Sequence, residues 1–175
     1  NVTATNDLTI TEGTVTLPNG TTTIGGSLAV SSGTFVHNNG AVVFNSNLAE
    51  TVVASSSPFY DLSFSGNGSW DMQDSSATSS NDVRITSGTV YFPTGTFAVG
   101  GSLTTTAGAI AARNGTLRLY TTGADSLSTG GSALYDLVVD GSGASVTVSD
   151  TDLTIQHDLT ILEGSMTFPS GTLTI

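Results

Sequence analysis

Residues 7–24 read DLTITEGTVTLPNGTTTI and residues 158–175 read DLTILEGSMTFPSGTLTI, so one stretch of chain occurs twice almost unchanged. A third version lies between them. Shifting the chain by 75 positions lays Asp7 on Asp82, Gly13 on Gly88, Pro18 on Pro93 and Gly20 on Gly95 without a gap. The match continues through Gly25–Leu28 on Gly100–Leu103, Asn39–Gly40 on Asn114–Gly115 and Tyr60–Leu62 on Tyr135–Leu137. The next copy opens at Asp158, 76 positions after Asp82. The chain is therefore one domain, 1–175, made of two full units, 7–81 and 82–157, and part of a third, 158–175. Recurrence at a fixed period demands a fold in which each unit packs on its own copy.

A shorter beat runs inside the unit. Apolar residues alternate in pairs such as Leu8/Ile10, Val15/Leu17, Leu28/Val30, Val42/Phe44 and Leu62/Phe64. Alternation with period two marks half-buried strands. The pairs are separated by Gly, Asn and Pro, as in EGTV, PNGT and IGGS, which are turn signals. Strand starts recur after about 20 residues: 8 and 28, 15 and 35, 22, 42 and 62. Three short strands per lap is the rhythm of a parallel β-solenoid, here of roughly nine laps, with about four in each unit. At about 4.8 Å per lap the rod would be roughly 40 Å long. The short, glycine-punctuated strands also suit an antiparallel β-sandwich, although a long sequence repeat fits a closed sandwich poorly. AIAARN (109–114) has helical propensity but aligns with TFVHNN (34–39), which predicts a strand and a corner.

Composition narrows the partners. Charged residues make up 10% of the chain, against about 25% in an average soluble domain. Ser, Thr, Gly and Asn supply the polar surface instead. The net charge is −11 and the only cations are Arg84, Arg113 and Arg118. Three cations cannot displace many counterions from a phosphate backbone, so nucleic acid is excluded, and an anionic membrane surface with it. No apolar run is long enough for insertion into a membrane. With no cysteine, disulfides and thiolate–metal sites are ruled out, and stability must come from pairing and packing.

The unit DLTI…GTVTLPNG…GGSL…SGTF, together with FYDLSFSGNG (59–68) and LYDLVVDGSG (134–143), resembles the repetitive β-helical segments of bacterial and archaeal surface proteins. These are the filamentous-haemagglutinin-like and autotransporter-like adhesins. The resemblance implies an extracellular, cell-surface rod: a stalk, adhesin body or self-assembling fibre whose neighbours are further repeats or identical subunits end to end. It carries no catalytic residues across, so the chain is expected not to be an enzyme. A carbohydrate-binding, adhesive module that recognises glycans or a cell surface is the alternative. An ice-binding protein or a polysaccharide-active enzyme is more remote.

Each alternative points to particular residues. Polysaccharide chemistry on a β-helix needs converging carboxylates, or acids clustered around Ca²⁺. Asp150, Asp152 and Asp158 are the candidate Ca²⁺ ligands, and Asp71/Asp74 form a second acidic pair. Arg113 and Arg118 could meet a carboxylate or an acidic sugar. The competing expectation is that aspartates beside Gly, Ser or Asn cap turns. Asp7, Asp61, Asp82 and Asp136 recur with the unit and read as corner caps. Ice binding needs an unbroken T-x-T column, whereas Thr9/Thr11 and Thr21/Thr23 are followed a lap later by Ala29/Ser31 and Ala41/Val43. His37 and His157 are solitary and not equivalent in the repeat, and read as surface residues. Tyr60 and Tyr135 recur and read as structural. Trp70 does not recur, Ser145 taking its place in the alignment, and it is the aromatic expected to contact a ligand.

Overall fold

A computed structural model describes residues 1–175 and contains strands, bends and turns but no helix. Every strand pairing is parallel. That excludes the antiparallel sandwich and makes the chain a β-solenoid of three strand stacks. The first stack climbs through nine strands, from Val2–Ala4 by way of Thr21–Ile24, Ala41–Phe44, Asp61–Phe64, Val83–Ile85 and Leu103–Thr105 to Ala124–Ser128, Asp136–Val148 and Leu159–Thr167. The second holds Leu8–Ile10, Leu28–Val30, Ala49–Val53, Ser69–Met72, Thr89–Tyr91 and Ala109–Ala111. The third begins with Thr14–Thr16 and Thr34–Val36 and resumes through Ala77–Ser79, Thr96–Val99 and Thr116–Leu119. The long strand Asp136–Val148 belongs to two stacks, its start lying on Thr116–Leu119 and its end on Ala124–Ser128.

Alternation in the sequence becomes alternation in space. Val42 and Phe44 point inward and are buried, while Ala41 and Val43 between them are only half-buried. Inward residues from Ile10 to Ile155 join a single core cluster of 36 buried residues, and Leu159, Met166 and Leu173 of the last lap pack against it, partly buried. Phe44, Phe64 and Trp70 are among its largest fully buried side chains, with Phe44 stacked on Phe64 at 5.4 Å and Phe64 tilted against Trp70 at 5.2 Å. One lap could not bury these rings alone; stacked laps can. Gly13, Gly88 and Gly164, equivalent in the repeat, all adopt a left-handed φ (78°, 74° and 89°). A Cβ is disfavoured there, which explains why glycine returns at this corner in every unit.

Most laps are 20 residues long, as in Val2↔Thr22↔Val42. One lap in each unit is 24 long, pairing Leu28 with Val52 and Leu103 with Leu127. The extra residues are held by a carboxylate. Glu50 accepts hydrogen bonds from the Ser27 and Ser46 hydroxyls, both at 2.7 Å, and Ser27 Oγ accepts the Thr51 N–H at 3.0 Å. The second unit repeats the device with Asp125, Ser102 and Thr121. Just beyond each long lap a serine replaces a ladder bond: Ser57 accepts Phe35 N–H and Ser132 accepts Ile110 N–H.

The unit and the lap are out of phase. From Leu8 to Ser79 the chain makes ten strands and one single-residue bridge at Phe59, eleven crossings in all. Three crossings complete a lap, so the unit stops one crossing short of the four laps expected from its length. The three strands that open successive units therefore fall in three different stacks. Leu8–Ile10 pairs within the second, Val83–Ile85 within the first, and Leu159–Ile161 lies on the Leu137–Val139 segment of the third.

Candidate functional site

The largest surface depression, a groove of about 310 Å³, lies on the outer face of the second stack. Strand alternation aims Thr51 from one lap, Ser69 and Asp71 from the next, and then Tyr91 outward; Glu50, in register with Trp70, also lines the groove, and Arg113 closes it at a corner one lap further. Arg113 forms an ion pair with Asp71 and lies over the Tyr91 ring at 5.4 Å. Tyr91 keeps 38% of its surface in solvent. Arg113 has φ 55°, in the left-handed region, at the place where the first unit has Asn38 (φ 48°). Asparagine tolerates that conformation well; arginine adopts it at a cost of order 1 kcal/mol or more.

Trp70 is not a contact residue. It sits between Ser69 and Asp71, whose side chains face out, so its indole faces the core and is fully buried. Its Nε1 has no hydrogen-bond partner. Register also shows that Val146, not Ser145, occupies the equivalent inward place, because Glu50 opposes Trp70 as Asp125 opposes Val146.

The acidic candidates disperse. Asp150 accepts the Thr129 N–H and the Ser128 hydroxyl, Asp152 accepts Thr172 N–H at 2.6 Å, and neither meets Asp158. Asp74 caps the N–H groups of Ala54 and Ser55, away from Asp71. Arg118 pairs with Asp140 at 2.5 Å and so does not converge with Arg113. The recurrent aspartates do cap corners, but they act on the adjacent lap and not on their own turn. Asp7 accepts Ser27 N–H at 2.8 Å, Asp82 accepts Ser102 N–H at 3.0 Å, and Asp61 and Asp136 accept the N–H groups of Asp82 and Asp158. A parallel stack leaves these donors facing a neighbouring corner, where a carboxylate is the strongest neutralising partner.

One group brings metal-ligand atoms together: a ring nitrogen of His157 and carboxylate oxygens of Asp136 and Asp158, all within 4.8 Å of one another. It lies at the surface, with 54% of the His157 side chain exposed. His157 Nδ1 is 2.8 Å from Asp136 Oδ1, and its ring stacks on Tyr135 at 5.0 Å. The hydrogen bond to Asp136 raises the His157 pKa above its usual 6.5, and the Asp158 charge adds to the effect. In the first unit Asn81 Nδ2 donates to Asp61 at 2.8 Å in the same place. The geometry is that of a corner latch.

The T-x-T columns break as expected, Thr16 lying against Val36 and Thr21 against Ala41. Of the groove residues, the sequence singles out Asp71 and Arg113 separately and does not join them to each other or to Tyr91. The joining signal was available: Asp71 and Tyr91 are one 20-residue lap apart, and both depart from the repeat. No protein-family model, curated protein or solved structure matches the chain.

Proposed function

We propose that the chain is a structural repeat segment of an extracellular surface protein: a stiff, non-catalytic rod that spaces or displays what lies along its axis. One observation carries this reading. The features that recur from unit to unit are inward or at corners, such as Leu8/Val83, Gly13/Gly88, Asp7/Asp82 and the Glu50/Asp125 latch. Each unit turns these features onto the next face of the rod, so no outward column is kept in line. A repeat that preserves its core and rotates its surface favours length and stiffness over a repeated recognition face. Its axial neighbours are further laps, of the same chain or of identical copies, paired by parallel strand addition.

The test is small-angle scattering of this chain beside one with an extra copy of residues 82–157 inserted at a unit boundary. A spacer gains about 18 Å of length at constant cross-section, eleven crossings being nearly four laps of about 4.8 Å. Growth of the cross-section, or a length that does not add, contradicts it.

A further inference from the structure

We propose that the groove over Asp71, Tyr91 and Arg113 is a binding site for a neutral sugar ring, carried as a single recognition point on the otherwise structural rod. Three observations carry this beyond the rod itself. The site departs from the repeat. Tyr91 stands where the other units place Thr16 and Thr167, Asp71 where the second unit places Thr147, and Arg113 where the first places Asn38. The repeat frame alone thus needs none of the three. Arg113 also holds a left-handed backbone that the first unit gives to an asparagine, a local strain of the kind that collects at functional positions. Finally, at about 310 Å³ the groove lies at the small end of the range for ligand sites, roughly 300–1,000 Å³.

The chemistry selects the ligand class. Tyr91 offers an exposed aromatic surface, which suits the C–H face of a pyranose. Asp71 bonds only Arg113 and keeps acceptor capacity, while the guanidinium keeps donors beyond those on Asp71. Adjacent donors and acceptors match sugar hydroxyls, each of which both gives and takes a hydrogen bond. Glu50 is already held by two serine hydroxyls and contributes mainly charge. Two carboxylates against one guanidinium, in a chain of net charge −11, repel uronates and sialylated or sulfated sugars.

The experiment is saturation-transfer NMR, with titration of any hit, using neutral tetrasaccharides of glucose, galactose, mannose and N-acetylglucosamine and an oligogalacturonate as the acidic probe. The variants are Tyr91→Thr and Arg113→Asn, which install residues the chain itself uses at equivalent positions and so preserve the fold. Thr147→Ala, on the second unit's counterpart surface, is the control. Binding of a neutral tetrasaccharide that falls at least tenfold in Y91T, weakens in R113N and is unchanged in T147A supports the site. No neutral binding at millimolar sugar, binding that survives Y91T, or preference for the galacturonate overturns it. The rod reading stands or falls separately, on the scattering of the extended chain.

Discussion

Leu8 and Val83 open successive repeat units, yet they stand in different stacks: Leu8 pairs with Leu28, while Val83 lies between Leu62 and Leu103. Leu159, which opens the next unit, joins the remaining stack through Leu137. The same sequence thus serves on each face of the coil. This is feasible because all three stacks ask the same of a strand: two inward apolar residues around one outward residue, and a compact corner. Features that recur at this period are distributed around the axis, which suits a spacer more than a flat binding surface.

Trp70 fills the core beside Phe64 with no partner for its Nε1. Trp70→Ala should therefore destabilise the rod by about 3–5 kcal/mol, through lost burial and the cavity left behind. Trp70→Phe should recover most of this, since the indole N–H contributes no bond. Chemical denaturation of both variants measures it. A loss under about 1 kcal/mol for the alanine variant would mean that the ring is not in the core.

Asp82 and Asp158 open successive units but differ in their bonds. Asp82 Oδ1 caps Ser102 N–H and Oδ2 meets Arg84 at 2.6 Å, whereas Asp158 has 72% of its side chain exposed. Asp82→Ala should cost about 1.5–3 kcal/mol, the range for a hydrogen bond to a charged group. Asp158→Ala should fall within about 0.5 kcal/mol of the parent. Equal effects in thermal denaturation would contradict the capping role.

Much of this was legible in the chain, for identifiable reasons. The lap length follows from Val42/Phe44 and Leu62/Phe64 recurring at 20 residues, and the corners from Gly13/Gly88/Gly164. The phase of the unit was not legible, because Phe59 and Leu134 sit in the stacks as single bridges with no alternating pattern around them. Trp70 was misplaced for a related reason: lack of recurrence suggested exposure, but inwardness is set by parity along Ser69–Met72 and not by recurrence. The latch at Glu50 was invisible because Asp125 replaces it and its anchors, Ser27 and Ser46, are 23 and 4 residues away. The groove was missed because its residues lie on successive laps and meet only through the coil.

His157 gives a pH dependence with a definite sign. Its pKa is raised by the bond to Asp136, so the folded state binds the proton more tightly than the unfolded chain. The stabilisation is fully present below about pH 6.5, the unfolded value, and is lost as pH rises through the higher folded value. An NMR titration of the imidazole should show a midpoint above 6.5 that moves down in Asp136→Asn. His157→Asn, which copies Asn81 of the first unit, should abolish the pH dependence of melting in this window. A midpoint unmoved by Asp136→Asn would refute the latch.

The step of one face per unit can be read from a chain of six tandem copies of residues 82–157, imaged by cryo-electron microscopy and averaged unit by unit along the rod. Eleven crossings at three per lap predict a rise of about 18 Å per unit, with equivalent strands displaced by one face, about a third of a turn, between neighbouring units. Units that superpose by translation alone, with Val83 and its copies aligned on a single face, would contradict the account.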